Sequence, residues 1–224
     1  MNQTLLEIVR ANVREPLLLE GDFFSLAACN EIGVRRLLEM MEEFDLDQIE
    51  TISDLIIERS NNAMLKEIRR LPFGTYDYSM MIDGYENNVN LVASMRIGED
   101  GIDVDFAGTS AVSEYGINVP LPYTQAYASF GVRCLVGPNV PNNAGSLGPV
   151  RVSAPLGSIL NAPPPCAVAA RHAIGQMLPD VMIGCLDQVL SNRAPAEGTS
   201  CLWNFVLYGG HGISGGDFAN ATPY

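Results

Sequence analysis

Residues Val140 to Asp180 read VPNNAGSLGPVRVSAPLGSILNAPPPCAVAARHAIGQMLPD, and this stretch concentrates more backbone constraint than an ordinary core segment needs. Pro141, Asn142, Asn143, Gly145 and Ser146 form a turn cluster, because Asn and Gly tolerate positive φ and Pro fixes its own. Val150, Val152 and Ala154 then alternate with Arg151 and Ser153, which predicts a short strand ended by Pro155. A second turn, Pro155 to Ser158, leads through Ile159, Leu160 and Asn161 to Pro163, Pro164 and Pro165. Without backbone donors, those prolines are expected to run as a rigid extended connector. From Val168 the period becomes helical, with Ala170, Ile174, Met177, Leu178, Val181, Met182 and Cys185 at three- and four-residue steps. Pro179 should kink that helix or split it in two.

Upstream of this stretch the period is two. Tyr76, Tyr78, Met80 and Ile82 alternate with polar residues, the chain turns at Asp83-Gly84, and Val89, Leu91, Ala93, Met95 and Ile97 alternate in turn. A second turn at Asp100-Gly101 precedes Ile102, Val104 and Phe106. The expectation is a three-stranded antiparallel meander with one covered face. Asp105, Thr109 and Ser110 follow the third strand, where a scaffold presents binding groups and where hydroxyls also close turns by bonding backbone. Thr124 to Val136 reads as a helix turning Ala126, Phe130, Val132 and Leu135 inward.

Before Pro72 the period is helical. A short helix ends before Pro16, a second apolar stripe runs from Phe23 to Met41 with Asn30 interrupting it, and a third runs from Ile52 to Ile68. Downstream, Cys201 to Tyr208 reads as a buried strand, followed by Gly210, Gly212 and Gly215 in a G-x-G-x-x-G spacing. That spacing is a weak dinucleotide signal, because no helix pattern follows it.

Composition narrows the function classes. A net charge of −13 argues against nucleic acid and anionic membrane surfaces, which reward Lys and Arg. Five cysteines, odd in number and without a C-x-x-C pair, fit buried thiols in a reducing cytoplasm better than a disulfide framework or a zinc site. The only histidines are His172 and His211; Asp105, Asp180, Asp187 or Asp217 would have to complete a metal site, and no metal-binding spacing appears. Neither a phosphate loop nor a nucleophile elbow is present. Arg171 and His172, early in the predicted helix, read equally as an anion-binding pair or as residues packed against the proline loop.

The runs DFAGTS (Asp105 to Ser110), GINVP (Gly116 to Pro120), PNNAGSLGPVRV (Pro141 to Val152) and GSILNAPPP (Gly157 to Pro165) resemble the hydantoinase B family. That family includes the B-type component of N-methylhydantoinase, the C-terminal half of 5-oxoprolinase and the α subunit of acetone carboxylase. The resemblance implies an α+β subunit, here a helical insert over residues 1–71 and a mixed, mainly antiparallel sheet with packed helices over 72–224. It also implies a hetero-oligomer in which an ATP-using hydantoinase A-like partner activates a cyclic amide and the B-type subunit hydrolyses it. Carboxylation, as in acetone carboxylase, and a non-catalytic assembly scaffold are the alternatives. Several family members hold a divalent metal in an N-terminal domain that has no counterpart here, so the chain is expected to be part of a larger subunit with no metal site of its own. On this reading Arg171 and His172 would be catalytic. Asp105, Thr109, Ser110, Asn142, Asn143, Ser146 and Asn161 would shape the substrate pocket.

Overall fold

The computed structural model describes residues 2–190 and 192–196; the expected strand at 201–208 and the glycine-rich run, with His211 and Asp217, lie outside them. The chain divides into two compact units, Met1–Leu55 and Ile56–Tyr224. The first contains α1 (Gln3–Asn12) and α2 (Pro16–Glu43). The Asn2 side chain caps α1 by accepting from Thr4 N, and Pro16 opens α2, where its missing N–H costs nothing. Arg10 grips Glu20 through two hydrogen bonds of 2.8 and 2.7 Å. The apolar stripe of α2 is present, yet none of its 28 residues is buried. Asp45, at φ 52°, ends the helical run.

A third helix, α3 (Glu50–Ile68), gives its last turns to the second unit, where Met64 and Ile68 are wholly buried. The sheet follows as β1 (Gly74–Ile82), β2 (Val89–Gly98), β3 (Gly101–Asp105) and β4 (Val150–Ser153), in the order β1-β2-β3-β4. The first two pairings are antiparallel, as the meander predicts, and β4 joins β3 in parallel. The second turn sits one residue earlier than expected. Gly101 already belongs to β3 at φ 140°, so Glu99 and Asp100 make the reversal.

One sheet face is apolar, with the row Tyr76, Met95, Val104 and Val152 running across all four strands. Over it lie α4 (Leu121–Leu135) and α7 (Leu178–Asp187). Two glycines set their depth. A Cβ on Gly131 would stand 2.7 Å from Pro179 Cα, and one on Gly184 would meet the Tyr78 ring at 2.6 Å. The inward face of α4 is therefore not the one that large side chains suggest. Thr124, Ala128, Ser129, Gly131, Val132 and Leu135 are buried, whereas Ala126 and Phe130 face outward. Small residues take the contact face because the helices approach so closely.

The organising stretch departs from expectation in three places. Its turn cluster contains a helical turn, α5 (Ala144–Leu147), closed by a capping box between Asn143 and Ser146. The proline connector bends, with Cys166 N donating to Pro163 O and a cis Pro164–Pro165 peptide. The following helix begins at His172 instead of Val168. It is split into α6 (His172–Gly175) and α7, with Pro179 in the first turn of the latter.

Candidate functional site

The solvent face of the sheet is polar by strand alternation, and register turns that alternation into rows. Thr75, Arg96, Asp103 and Arg151 are direct partners across the four strands; Asp77, Ser94, Asp105 and Ser153 form the next row. The two rows line much of an open cavity of about 470 Å³. Asp103 sits between two guanidinium groups, accepting from Arg151 Nε on one oxygen and Arg96 Nη2 on the other. Arg151 also donates to the Asp100 carbonyl at 3.1 Å. The Arg151 hydrogen bond, above all, holds the Asp103 carboxyl below the usual carboxylate range and pushes the Arg151 guanidinium up. This cavity offers cationic donors, a carboxylate and two serine hydroxyls. It can therefore bind a polar or anionic group.

Of the residues expected to bind substrate, only Asp105 lines this cavity. Its Oδ1 accepts from Ala107 N at 3.0 Å, closing the turn after β3. Thr109 and Ser110 continue the sheet where β3 ends. Thr109 Oγ1 accepts from Val92 N and donates to Val92 O, and Ser110 Oγ accepts from Asn90 N at 2.9 Å. Asn143 and Ser146 dock α5 on α3, with Asn143 Nδ2 donating to Ser60 Oγ at 2.8 Å and Asn61 Nδ2 to Gly145 O at 3.3 Å. Asn142 is exposed beside them. Asn161 closes its own loop by donating to Ala154 O at 2.8 Å.

Arg171 and His172 stand elsewhere, beside the N-terminal half of α4. Arg171 is exposed, donates to Val168 O at 3.1 Å and lies 5.7 Å from the centre of the Tyr123 ring, a cation–π arrangement. Tyr123 stacks on Tyr127 with centroids 4.5 Å apart; burial first, then the neighbouring phenol, pushes its hydroxyl up to about 12. His172 is half-buried and opens α6.

One side chain ties the loops around this second cluster together, and residue pattern alone gave no reason to single it out. Asn118, in the GINVP run, is wholly buried. Its Nδ2 donates to Ser113 O and Tyr115 O, both at 2.9 Å, and to Ala167 O at 3.0 Å, while its Oδ1 accepts from Ser113 N at 2.8 Å. It thereby holds residues 113–115 against the proline connector that leads to Arg171. From the other side Glu86 accepts from Ser113 Oγ and Glu114 N, and Tyr85 stacks on Tyr115 at 4.6 Å. Desolvation pulls the Glu86 carboxyl up, but these bonds together outweigh it and hold it below its ordinary value. Among the described residues no group of three or more His, Cys, Asp or Glu is placed to hold a metal ion. No helix among them is long and apolar enough to cross a membrane.

The Hydantoinase B/oxoprolinase family profile matches residues 1–222, and the chain belongs to that family. It is 28% identical over 209 residues to a protein of Pseudomonas sp. (strain NS671) named as the B-type component of a D-/L-hydantoinase, covering 87% of this chain and 35% of that relative. A 5-oxoprolinase of Pestalotiopsis fici is 25% identical over 186 residues, 80% of this chain and 14% of that protein. The fold is similar to that of the ATP-dependent caprolactamase from Pseudomonas jessenii, at a TM-score of 0.76 and 21% identity, covering 86% of this chain and 34% of that one. The chain thus spans about a third of the length of the hydantoinase component it matches.

Proposed function

We propose that this chain is a portion of a B-type subunit of an ATP-dependent cyclic-amide hydrolase, working with a hydantoinase A-like partner that uses the ATP. The family match over nearly the whole chain carries this reading. The names of the relatives and of the structural neighbour, a hydantoinase component, a 5-oxoprolinase and a caprolactamase, support a lactam or hydantoin as the substrate class. In this reading Arg171 holds a phosphate or carboxylate on the activated substrate, because its exposed guanidinium is fixed against the Tyr123 ring. His172, which opens α6 next to Arg171, acts on the same substrate, whereas Asp105 in the sheet-face cavity and Asn142 beside α5 stand apart from this pair. Thr109, Ser110, Asn143, Ser146 and Asn161 hold the surrounding loops in shape. The test is Arg171→Ala in the complete two-component enzyme. The expected result is a raised KM for the ring substrate with ATP binding unchanged; unchanged KM and kcat would remove Arg171 from the site. Bicarbonate-dependent turnover of a ketone, without ring opening, would overturn the hydrolase reading itself.

A further inference from the structure

The segment that leads to Arg171 and His172 is held in place from one loop. Among the described residues, the hydrogen bonds by which residues 166–170 reach distant parts of the chain both end there. Asn118 Nδ2 donates to Ala167 O at 3.0 Å, and Ala170 N donates to Gly116 O at 2.8 Å. Arg171 turns its guanidinium back onto the same segment, at Val168 O. The position of residues 113–118, together with the Tyr123 ring, therefore sets the position of the guanidinium. That loop is anchored at its ends, by Val112 N to Gly157 O at 3.1 Å and by Val119 N to Ile159 O at 2.8 Å. Its tip is gripped from outside by the turn between β1 and β2. Ser113 Oγ donates to both carboxylate oxygens of Glu86 at 2.9 Å, Glu114 N donates to Glu86 Oε1 at 2.7 Å, and Tyr85 stacks on Tyr115. Ser113 in turn donates its N–H to Asn118 Oδ1 and accepts from Asn118 Nδ2.

We infer that Glu86 is a positioning residue for the Arg171 guanidinium, acting through the 113–118 loop; the inference rests on Arg171 holding the anionic group of the substrate. The hairpin that carries Glu86 has no need of this carboxylate, since its ladder already closes with Ile82 opposite Val89. The bonds that Glu86 accepts from other residues all come from Ser113 and Glu114. Hydrogen bonds to an ionised acceptor are about twice as strong as neutral ones, so one exposed side chain restrains the whole tip. Relayed through Ser113, Asn118 and Ala167, that restraint reaches the stretch on which Arg171 is folded back.

The test combines kinetics with hydrogen exchange, both in the complete two-component enzyme. A misplacement of about 1 Å can cost about a hundredfold; Glu86→Ala only loosens the relay and should raise KM for the ring substrate about tenfold. It should also speed exchange in peptides covering residues 166–172 while peptides from β2 exchange as in the wild type. Glu86→Gln, which keeps an acceptor oxygen, should recover most of both. Glu114→Ala removes a neighbouring carboxylate but none of these bonds, so its KM should stay at the wild-type value. In an Arg171→Ala background Glu86→Ala should raise KM by less than about twofold, because the two residues act as one unit. Unaltered exchange over residues 166–172 in Glu86→Ala overturns the inference. So does an unchanged KM in Glu86→Ala when Arg171→Ala raises it, or full additivity of the two effects. Faster exchange over 166–172 in an enzyme whose KM is untouched by Arg171→Ala supports the relay and removes the substrate from Arg171. A failure of the site reading is thereby told apart from a failure of the positioning role.

Discussion

Replacing Asn118 should cost more stability than any other single polar substitution in the loop cluster, and its charge analogue should make that cost depend on pH. The Asn118 amide is wholly buried and satisfies Ser113 N, Ser113 O, Tyr115 O and Ala167 O. Asn118→Ala removes all of these bonds and leaves at least three backbone groups to find water. At about 1 kcal/mol each, the expected loss is about 3 kcal/mol, a roughly hundredfold shift in the folding equilibrium. Asn118→Asp keeps the volume and the Ser113 N–H bond but turns a carboxylate towards three carbonyl oxygens. The buried carboxyl must then hold a proton to remain there, which raises its pKa in the folded state above the unfolded value of about 4. A raised folded pKa means that the folded variant binds more protons than the unfolded chain. Its stability is therefore greatest below about pH 4 and falls as pH rises towards the folded value. Urea unfolding followed by circular dichroism at pH 4 and 7 measures both effects. An Asn118→Ala midpoint equivalent to less than about 0.5 kcal/mol from wild type, or an Asn118→Asp deficit that does not grow with pH, would refute the hub assignment.

Three further substitutions probe the other contacts. Asp103→Asn should cost at most about 1 kcal/mol at neutral pH, because its ion pairs are half-exposed. Since the folded carboxyl is held low, that stabilisation is present above about pH 4 and disappears as pH falls through the folded value, so the variant and wild-type stability curves should converge in acid. Gly145→Ala would place a methyl group against the Ile57 carbonyl and should destabilise by about 2 kcal/mol or more. Gly116→Ala, whose nearest neighbour would be 3.7 Å away, should shift the urea midpoint little. Thr109→Val removes the hydroxyl that pairs with both backbone groups of Val92 and should cost about 1–2 kcal/mol in thermal unfolding. If activity of the assembled enzyme falls far beyond what that destabilisation explains, Thr109 also touches substrate.

Local period was enough to read the meander, the three N-terminal helices and the split at Pro179, because side-chain alternation and proline geometry act within a few residues. The inward face of α4 was misjudged for a physical reason. Phe130 outweighs Ala128 and Gly131 on any hydrophobic scale, but Pro179 and Met182 come so close at Gly131 that not even a Cβ fits there. The ion-paired row also needed more than the sequence. Arg96, Asp103 and Arg151 each lie on the polar side of a strand, but only register makes them neighbours across 55 residues of chain. Asn118 was invisible for a similar reason. A buried amide that binds three carbonyls has the same sequence signature as a turn asparagine. The α+β class and the family were legible because its motifs are long and ordered, whereas the motif residues themselves mostly spend their polar atoms on holding loops.

The parallel partnership of β3 and β4 also has a kinetic side. Ile102 and Val150 are direct partners with α4 and α5 between them in the chain, so β4 can dock only after a loop of nearly fifty residues has closed. The entropy of that closure must be met before the pairing gives anything back, whereas the meander of β1, β2 and β3 closes through short turns. Assembly is thus expected to run from the meander outward, with the strand that carries Arg151 arriving late. The ionic row across the sheet face then becomes one of the last parts of the molecule to exist.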